Sequence, residues 1–273
     1  VCTINLPRIA FKYKNKSIDE LKKIIKDYVQ ITVRLNHAKR YILKERIEKG
    51  FLPLYTLDFM NIDTQYSTTG LTGIYEFLEI LGQDIKSNEG QKYLCDILDV
   101  INTEVTNFQF KFKTPHNVEQ VPAENVAVKL AEKDRVLGYN DNYLLYSNQF
   151  IPLIENVDLL DRVHVQGIFD SQFSGGAIAH LNIETAITDY KKLKDLIEYS
   201  AKKGVIYFAI NYNLQQCEND HMSVGKQEKC PICKKKIINN FTRTVGFLTN
   251  VKNWNKVRRE EEYPQRIFIS ELK

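Results

Sequence analysis

"ETAITDYKKLKDLIEYSAKKGVIYFAI", residues 184–210, decides the fold class. It predicts a helix from about Glu184 to Lys203, stopped at Gly204, because glycine supplies the left-handed conformation that ends helices. "VIYFAI" (205–210) follows at once and reads as a buried strand. The same alternation extends toward the N-terminus. "DRVHVQGIFD" (161–170) and "FQFKF" (108–112) read as strands, and "VPAENVAVKLAEKD" (121–134) as a helix opened by proline. A long helix is predicted over about 87–107, with Leu94, Ile97, Leu98, Ile101 and Val105 on one face. "STTGLTGIYEFLEILG" (67–82) reads as a glycine-containing loop running into a short helix. "SIDE" (17–20) is a capping box opening a helix to about Glu48, and Gly50 is placed to stop it. "VCTINLPRI" (1–9) reads as an inner strand closed by Pro7. Helices alternating with short apolar strands predict an α/β fold with parallel pairing.

The 273 residues allow one large domain or two small ones. A composition of 43% hydrophobic and 26% charged residues fits a globular chain that can bury a core. The net charge of +4 is too weak to argue for nucleic acid. No apolar run approaches the ~18 residues of a membrane span. The start carries no secretory leader pattern. It also lacks Met and begins within a strand, so the chain is expected to be part of a longer polypeptide. Five cysteines without framework spacing favour a reducing, cytoplasmic setting. Composition shifts near Asn211, which places an expected boundary between residues 1–210 and 211–273.

"CENDHMSVGKQEKCPIC" (217–233) concentrates three of the five cysteines. Cys217 and His221 are spaced C-x3-H, and Cys230 and Cys233 are spaced C-x2-C. Two short ligand pairs joined by a polar loop suit tetrahedral zinc, and four protein ligands make it structural. Lys234 stands where glycine often helps such a turn, and Lys234, Lys235 and Lys236 would offset the charge of three thiolates. The other reading is a redox C-x-x-C pair with His221 a bystander. A redox pair should open a helix, and this one lies in a polar loop, so zinc is favoured. Cys95 and Cys2 read as buried structural thiols.

"TRTVGFLTN" (242–250) sets Gly246 among β-branched and aromatic residues, which by composition is a turn or bulge glycine. With the cysteine cluster upstream and "WNKVRREEEYPQR" (254–266) downstream, the segment resembles the C-terminal glycyl-radical segment of anaerobic, class III ribonucleoside-triphosphate reductases. "TINLPRIA", "LPLYTLDF", "TTGLTGIYEFLEILG", "VPAENVAVKLAEKD", "YSNQFIPL", "QFSGGAIAHLNI" and "YFAINYN" resemble family segments in the family's order, so the resemblance covers nearly the whole chain.

The resemblance implies part of a ten-stranded α/β barrel of the glycyl-radical type, with a small zinc-binding C-terminal subdomain. It implies a radical stored on the α-carbon of Gly246 and made by a separate radical-SAM activase carrying an iron–sulfur cluster. The radical would pass to a cysteine, whose thiyl takes the 3′-hydrogen of a ribonucleoside triphosphate while the 2′-hydroxyl leaves as water. That cysteine is expected before residue 1, so the chain alone is expected to be inactive. Nucleotide effectors and a homodimer are further implied, with no membrane and no direct nucleic acid. His221 stands where many relatives have a fourth cysteine. Among other candidates, "PAEN" (122–125) and "SGG" (174–176) are read either as presenting amides to phosphate or as an ordinary cap and turn. His164 and His180 are expected to make structural hydrogen bonds rather than act as bases, and Asn5 to lie near a ribose. "SVGKQE" is not a P-loop. The alternatives are another glycyl radical enzyme acting on a small acid or alcohol, or a non-catalytic zinc module binding nucleic acid.

Overall fold

The computed structural model describes residues 1–244 and 246–269. It divides into two compact units: Val1–Val121 with Gln172–Ala177, and Pro122–Ser171 with the described residues from Ile178 onward.

The first unit contains β1 (Cys2–Asn5), α1 (Leu6–Tyr13), α2 (Ile18–Glu48), α3 (Pro53–Thr56), β2 (Ser67–Thr72), α4 (Ile74–Ile80), α5 (Asn88–Phe112) and β3 (His116–Gln120). Its sheet runs β1-β2-β3, all parallel. The capping box holds α2 as expected: the Glu20 amide donates to Ser17 Oγ, and the Ser17 amide to Glu20 Oε2 at 3.0 Å. Leu21, Ile25, Val29 and Val33 form one fully buried stripe on α2, and Gly50 takes φ 75° after the helix. Ion pairs Lys22–Asp96 and Lys26–Glu104 join α2 to α5.

Three readings in this unit need correction. Strand β1 is short, and Pro7 sits in the first turn of α1 rather than merely closing a strand. "STTGLT" is a strand, not a loop: β2 is buried along its whole length between two parallel neighbours. Its small polar residues hide a strand that needs little volume. A Cβ on Gly70 would come within 2.7 Å of both Thr3 and Val121. "FQFKF" is the last turn of α5. Phe108 and Phe112 are neighbours under either period; Phe110 discriminates, and it is 73% exposed. Lys113, at φ 52°, ends that helix.

The second unit contains α6 (Glu124–Val136), α7 (Leu159–Phe169), β4 (Ala179–Asn182), α8 (Tyr190–Lys202), β5 (Phe208–Asn211), β6 (Leu214–Cys217), β7 (Met222–Val224), β8 (Ile237–Arg243), β9 (Leu248–Asn250), a π turn (Arg258–Glu262) and α9 (Tyr263–Gln265). The deciding stretch gives α8 then β5, with β5 parallel to β4, but the strand begins only at Phe208 and is mostly half-buried, and Ile206 and Tyr207, read as part of a buried strand, are exposed. The helix starts at Tyr190 because Asp189 caps it, its side chain accepting from the Lys191 amide at 2.8 Å. Leu159, Val163, Ala179, Leu181, Ile183 and Leu196 form the core between these helices and strands. Each of the leucine, isoleucine and valine side chains contributes about 1.5–3 kcal/mol on burial.

"DRVHVQGIFD" is helix α7, not a strand. Val163 and Val165 are both buried, as alternation required, but so are Arg162 and Gln166. Arg162 is satisfied by the carbonyls of Ile151, Pro152 and Glu155, so a charged residue sits on the buried face. Strand β4, buried throughout, emerges from the segment read only as a tail of the Gly175–Gly176 turn.

A four-stranded antiparallel sheet of order β7-β6-β8-β9 completes the unit. The α/β class and the parallel pairing stand. The sheets of the described residues have three, two and four strands, and a closed ten-stranded barrel is not among them.

Candidate functional site

Strands β6 and β8 frame the site. Cys217 ends β6, where the pairing with β8 is interrupted by a register shift after Gln216. The chain then turns back on itself. The Asp220 amide donates to the Cys217 carbonyl at 3.0 Å, and the Cys217 amide to the His221 carbonyl at 3.1 Å. The second turn repeats the device: the Cys230 amide donates to the Lys235 carbonyl, and the Lys234 amide to the Cys230 carbonyl, both at 2.9 Å. Lys234 takes φ 64° there, doing without the glycine that this position favours. Lys235 Nζ donates to Asn219 Oδ1 at 3.1 Å and ties the two turns together.

The donor atoms of Cys217, His221, Cys230 and Cys233 consequently lie within 4.8 Å of one another. Cys217 Sγ is 3.6 Å from Cys233 Sγ, and Cys230 Sγ is 3.7 Å from His221 Nδ1. A tetrahedral ion with ~2.3 Å bonds to sulfur has edges of about 3.8 Å. The Cys217 and Cys233 sulfurs, 3.6 Å apart, stand near that spacing and far beyond the ~2.05 Å of a disulfide. Burial opposes ionisation of Cys230, but the amides of Cys233 and Ile232 and the thiols of Cys233 and Cys217 bring it down to about 6. The donor set therefore fits a metal ion.

Gly246 lies at the other end of the same strand. Strands β8 and β9 form a hairpin whose last pair is Arg243 with Leu248, and the Thr244 amide donates to the Phe247 carbonyl across the loop. Cys217 pairs with Ile237, at the opposite end of β8. The run from Ile237 to Arg243 spans about 20 Å at ~3.4 Å per residue. A Cβ built on Gly246 meets nothing within 4 Å, so packing does not explain the glycine.

The base of the loop is held by a buried ionic cluster. Arg266 donates to the carbonyls of Arg243 (2.6 Å) and Thr244 (2.8 Å), and pairs with Glu262 at 2.8 Å. Arg258 takes the other Glu262 oxygen at 2.6 Å. Burial alone would raise the Glu262 carboxyl, and the two guanidinium groups reverse this, holding it below the usual carboxylate range. Arg266 also stacks over Trp254 at 4.6 Å, and Trp254 Nε1 donates to Thr249 on β9.

A family-wide sequence profile described as anaerobic ribonucleoside-triphosphate reductase matches residues 1–268. The chain belongs to that family. A solved anaerobic ribonucleotide reductase is 38% identical, with a TM-score of 0.91 over 99% of this chain and 44% of its own. The Thermotoga maritima anaerobic ribonucleotide reductase, in complex with dATP and CTP, is 37% identical, with a TM-score of 0.84 over 94% of this chain and 43% of its own. The same enzyme with glycerol in the active site is 38% identical, with a TM-score of 0.86, covering 96% and 44%. The chain thus spans less than half the length of these relatives. No curated protein matches it.

Within this reductase-family chain the other candidates separate by their partners. Asn5 caps α1, its Oδ1 facing the Arg8 amide at 3.4 Å. The Gly175 and Gly176 amides are committed to the carbonyls of Val118 and Phe173, so they do not offer themselves to phosphate. The "PAEN" segment enters α6 through Ala123 at φ 46°, with no side-chain cap. His164 is exposed on α7. His180 is fully buried, and neither ring nitrogen has a partner among the described residues, against the expectation of structural hydrogen bonds. Burial first, then the charges of Arg266 and Arg243, hold it down at about 3, so it is neutral. Cys95 and Cys2 are half-buried rather than core, with Lys39 Nζ 3.1 Å from the Cys2 sulfur. Sequence reasoning missed the arginine cluster. Its signal was present: Arg258, Glu262 and Arg266 recur every fourth residue in "RREEEYPQR".

Proposed function

We propose that this chain is the C-terminal part of the catalytic subunit of an anaerobic ribonucleoside-triphosphate reductase, which reduces ribonucleoside triphosphates to their 2′-deoxy forms by radical chemistry. The observation that carries this reading is Gly246: a glycine that packing does not require, at a hairpin tip, in a member of this family. Its use is then chemical. A hydrogen atom leaves its α-carbon for a carbon radical supplied by a separate radical-SAM activase. The remaining unpaired electron is shared between the flanking amide nitrogen and carbonyl, which requires a planar carbon free of a crowding side chain. In this reading the thiyl cysteine lies upstream of residue 1, and Cys2 matches no catalytic motif of the family.

Cys217, His221, Cys230 and Cys233 hold Zn²⁺ in this reading. Four protein donors complete a tetrahedron, so the ion is structural. It fixes the start of β8, whose far end leads into the Gly246 loop. Residues 211–273 act as the zinc and radical subdomain, and 1–210 as part of a ten-stranded barrel to which the parallel pairs contribute. The dATP and CTP of the Thermotoga maritima enzyme support nucleotide effectors and a triphosphate substrate here. A homodimer in the cytoplasm completes the proposal.

The test is anaerobic turnover by the full-length subunit with its activase, reductant and each ribonucleoside triphosphate. Deoxyribonucleoside triphosphate formed in proportion to radical content is the expected result. Turnover of a small acid or alcohol, with no nucleotide bound, would replace the reading with another glycyl radical enzyme.

A further inference from the structure

Arg243 Nη1 donates to the carbonyl oxygen of Gly246 at 2.5 Å. One donor of this cationic group is thereby committed to a neutral carbonyl. The backbone that carries it is fixed from both sides. The Arg243 amide donates to Asn211 Oδ1 at 3.0 Å, an oxygen that also accepts from Thr242 Oγ1 at 2.9 Å. Asn211 is itself held by a 2.6 Å bond to Asn182. The Arg243 carbonyl is clamped by Arg266, and Arg266 by Glu262 and Trp254. Such an arrangement limits the conformations open to the start of the loop, so the contact is built into the fold.

We propose that Arg243 is a radical-stabilising residue, its cation bonded to the carbonyl into which the Gly246 electron delocalises, and that Arg266 positions it. The inference rests on the radical reading above. Loss of the α-hydrogen joins an electron-donating amide nitrogen to an electron-withdrawing carbonyl through one carbon. A positive charge at the carbonyl oxygen strengthens the withdrawing partner and draws spin from the α-carbon toward the oxygen. No atom is transferred. The stored radical is stabilised, and the spin left on the carbon is reduced.

A simple loop cap would give the same bond, so the test must read the electron. The full-length subunit is activated anaerobically as wild type, Arg243→Lys, Arg243→Gln, Arg243→Met and Gly246→Ala, with zinc content measured as a check on folding. Electron paramagnetic resonance then gives the doublet splitting from the remaining α-hydrogen, and the decay of the signal. The expected series is a wider splitting and faster decay as the partner changes from cation to neutral donor to none. Arg243→Lys stays near wild type, and Arg243→Met decays roughly tenfold faster, in keeping with the loss of one charge-assisted bond. Identical splitting and decay across the zinc-loaded Arg243 variants would overturn the role of Arg243 and leave the radical reading intact. A doublet that persists in Gly246→Ala would overturn the radical reading, and this inference with it.

Discussion

Gly246→Ala is expected to give a folded, zinc-loaded protein that forms no radical and no deoxyribonucleotide. Two arguments separate fold from chemistry here. The added methyl meets nothing within 4 Å, so no neighbour has to move. Gly→Ala at an unstrained position stabilises by about 0.4–1 kcal/mol through the unfolded chain, so the melting temperature should hold or rise slightly. The chemistry fails for a local reason. A planar α-carbon places a methyl in the plane of both flanking peptide groups, where it collides with them and twists the delocalised system apart. Turnover should therefore fall below detection while circular dichroism, zinc content and melting temperature match wild type. A variant that loses activity by unfolding would show that the glycine serves packing, against the open space seen around it.

Removing the metal should have the second-largest effect. The proposed ligands come from two turns, which meet at the Cys217–Cys233 and Cys230–His221 contacts, at Lys235–Asn219 and at the Glu218 amide donating to the Lys236 carbonyl. Apparent binding energies of structural zinc are about 10–16 kcal/mol, far more than the few hydrogen bonds that otherwise join the two turns. Cys230→Ser or a strong chelator should release one equivalent of zinc and lower the melting temperature. Proteolysis should open between residues 217 and 236, and the radical yield after activation should collapse. The last effect travels through β8, because the metal ligands and Gly246 lie at its opposite ends. Full radical yield in metal-free protein would show that the cage does not support the loop.

The parts of this account legible in the sequence share a feature: their signal is local. The Ser17–Glu20 box, the Gly50 stop and the Cys/His pairs each depend on residues a few positions apart; the first two form as read, and the donor atoms of the Cys/His pairs converge. What escaped was set by neighbours distant in sequence. Strand β2 has almost no branched apolar residues to announce it, and the crowding that requires glycine at Gly70 comes from Thr3 and Val121, both far away in sequence. Helix α7 carries a strand-like pair of valines, and its helical face holds a buried charge because the carbonyls of Ile151, Pro152 and Glu155 receive Arg162. The Arg258–Glu262–Arg266 cluster drew no structural reading of its own from the sequence. Its meaning comes from the carbonyls of Arg243 and Thr244, some twenty residues earlier.

The claim on which the rest stands is that the α-carbon of Gly246 carries the stored electron. Molecular oxygen adds to such a carbon radical and breaks the backbone there, so the most direct measurement is mass spectrometry of the activated full-length subunit after exposure to air. The account predicts two fragments whose junction maps to Gly246, in an amount equal to the radical counted beforehand, and none without activation. An intact chain after a measured radical signal, or a break at another residue, would contradict it.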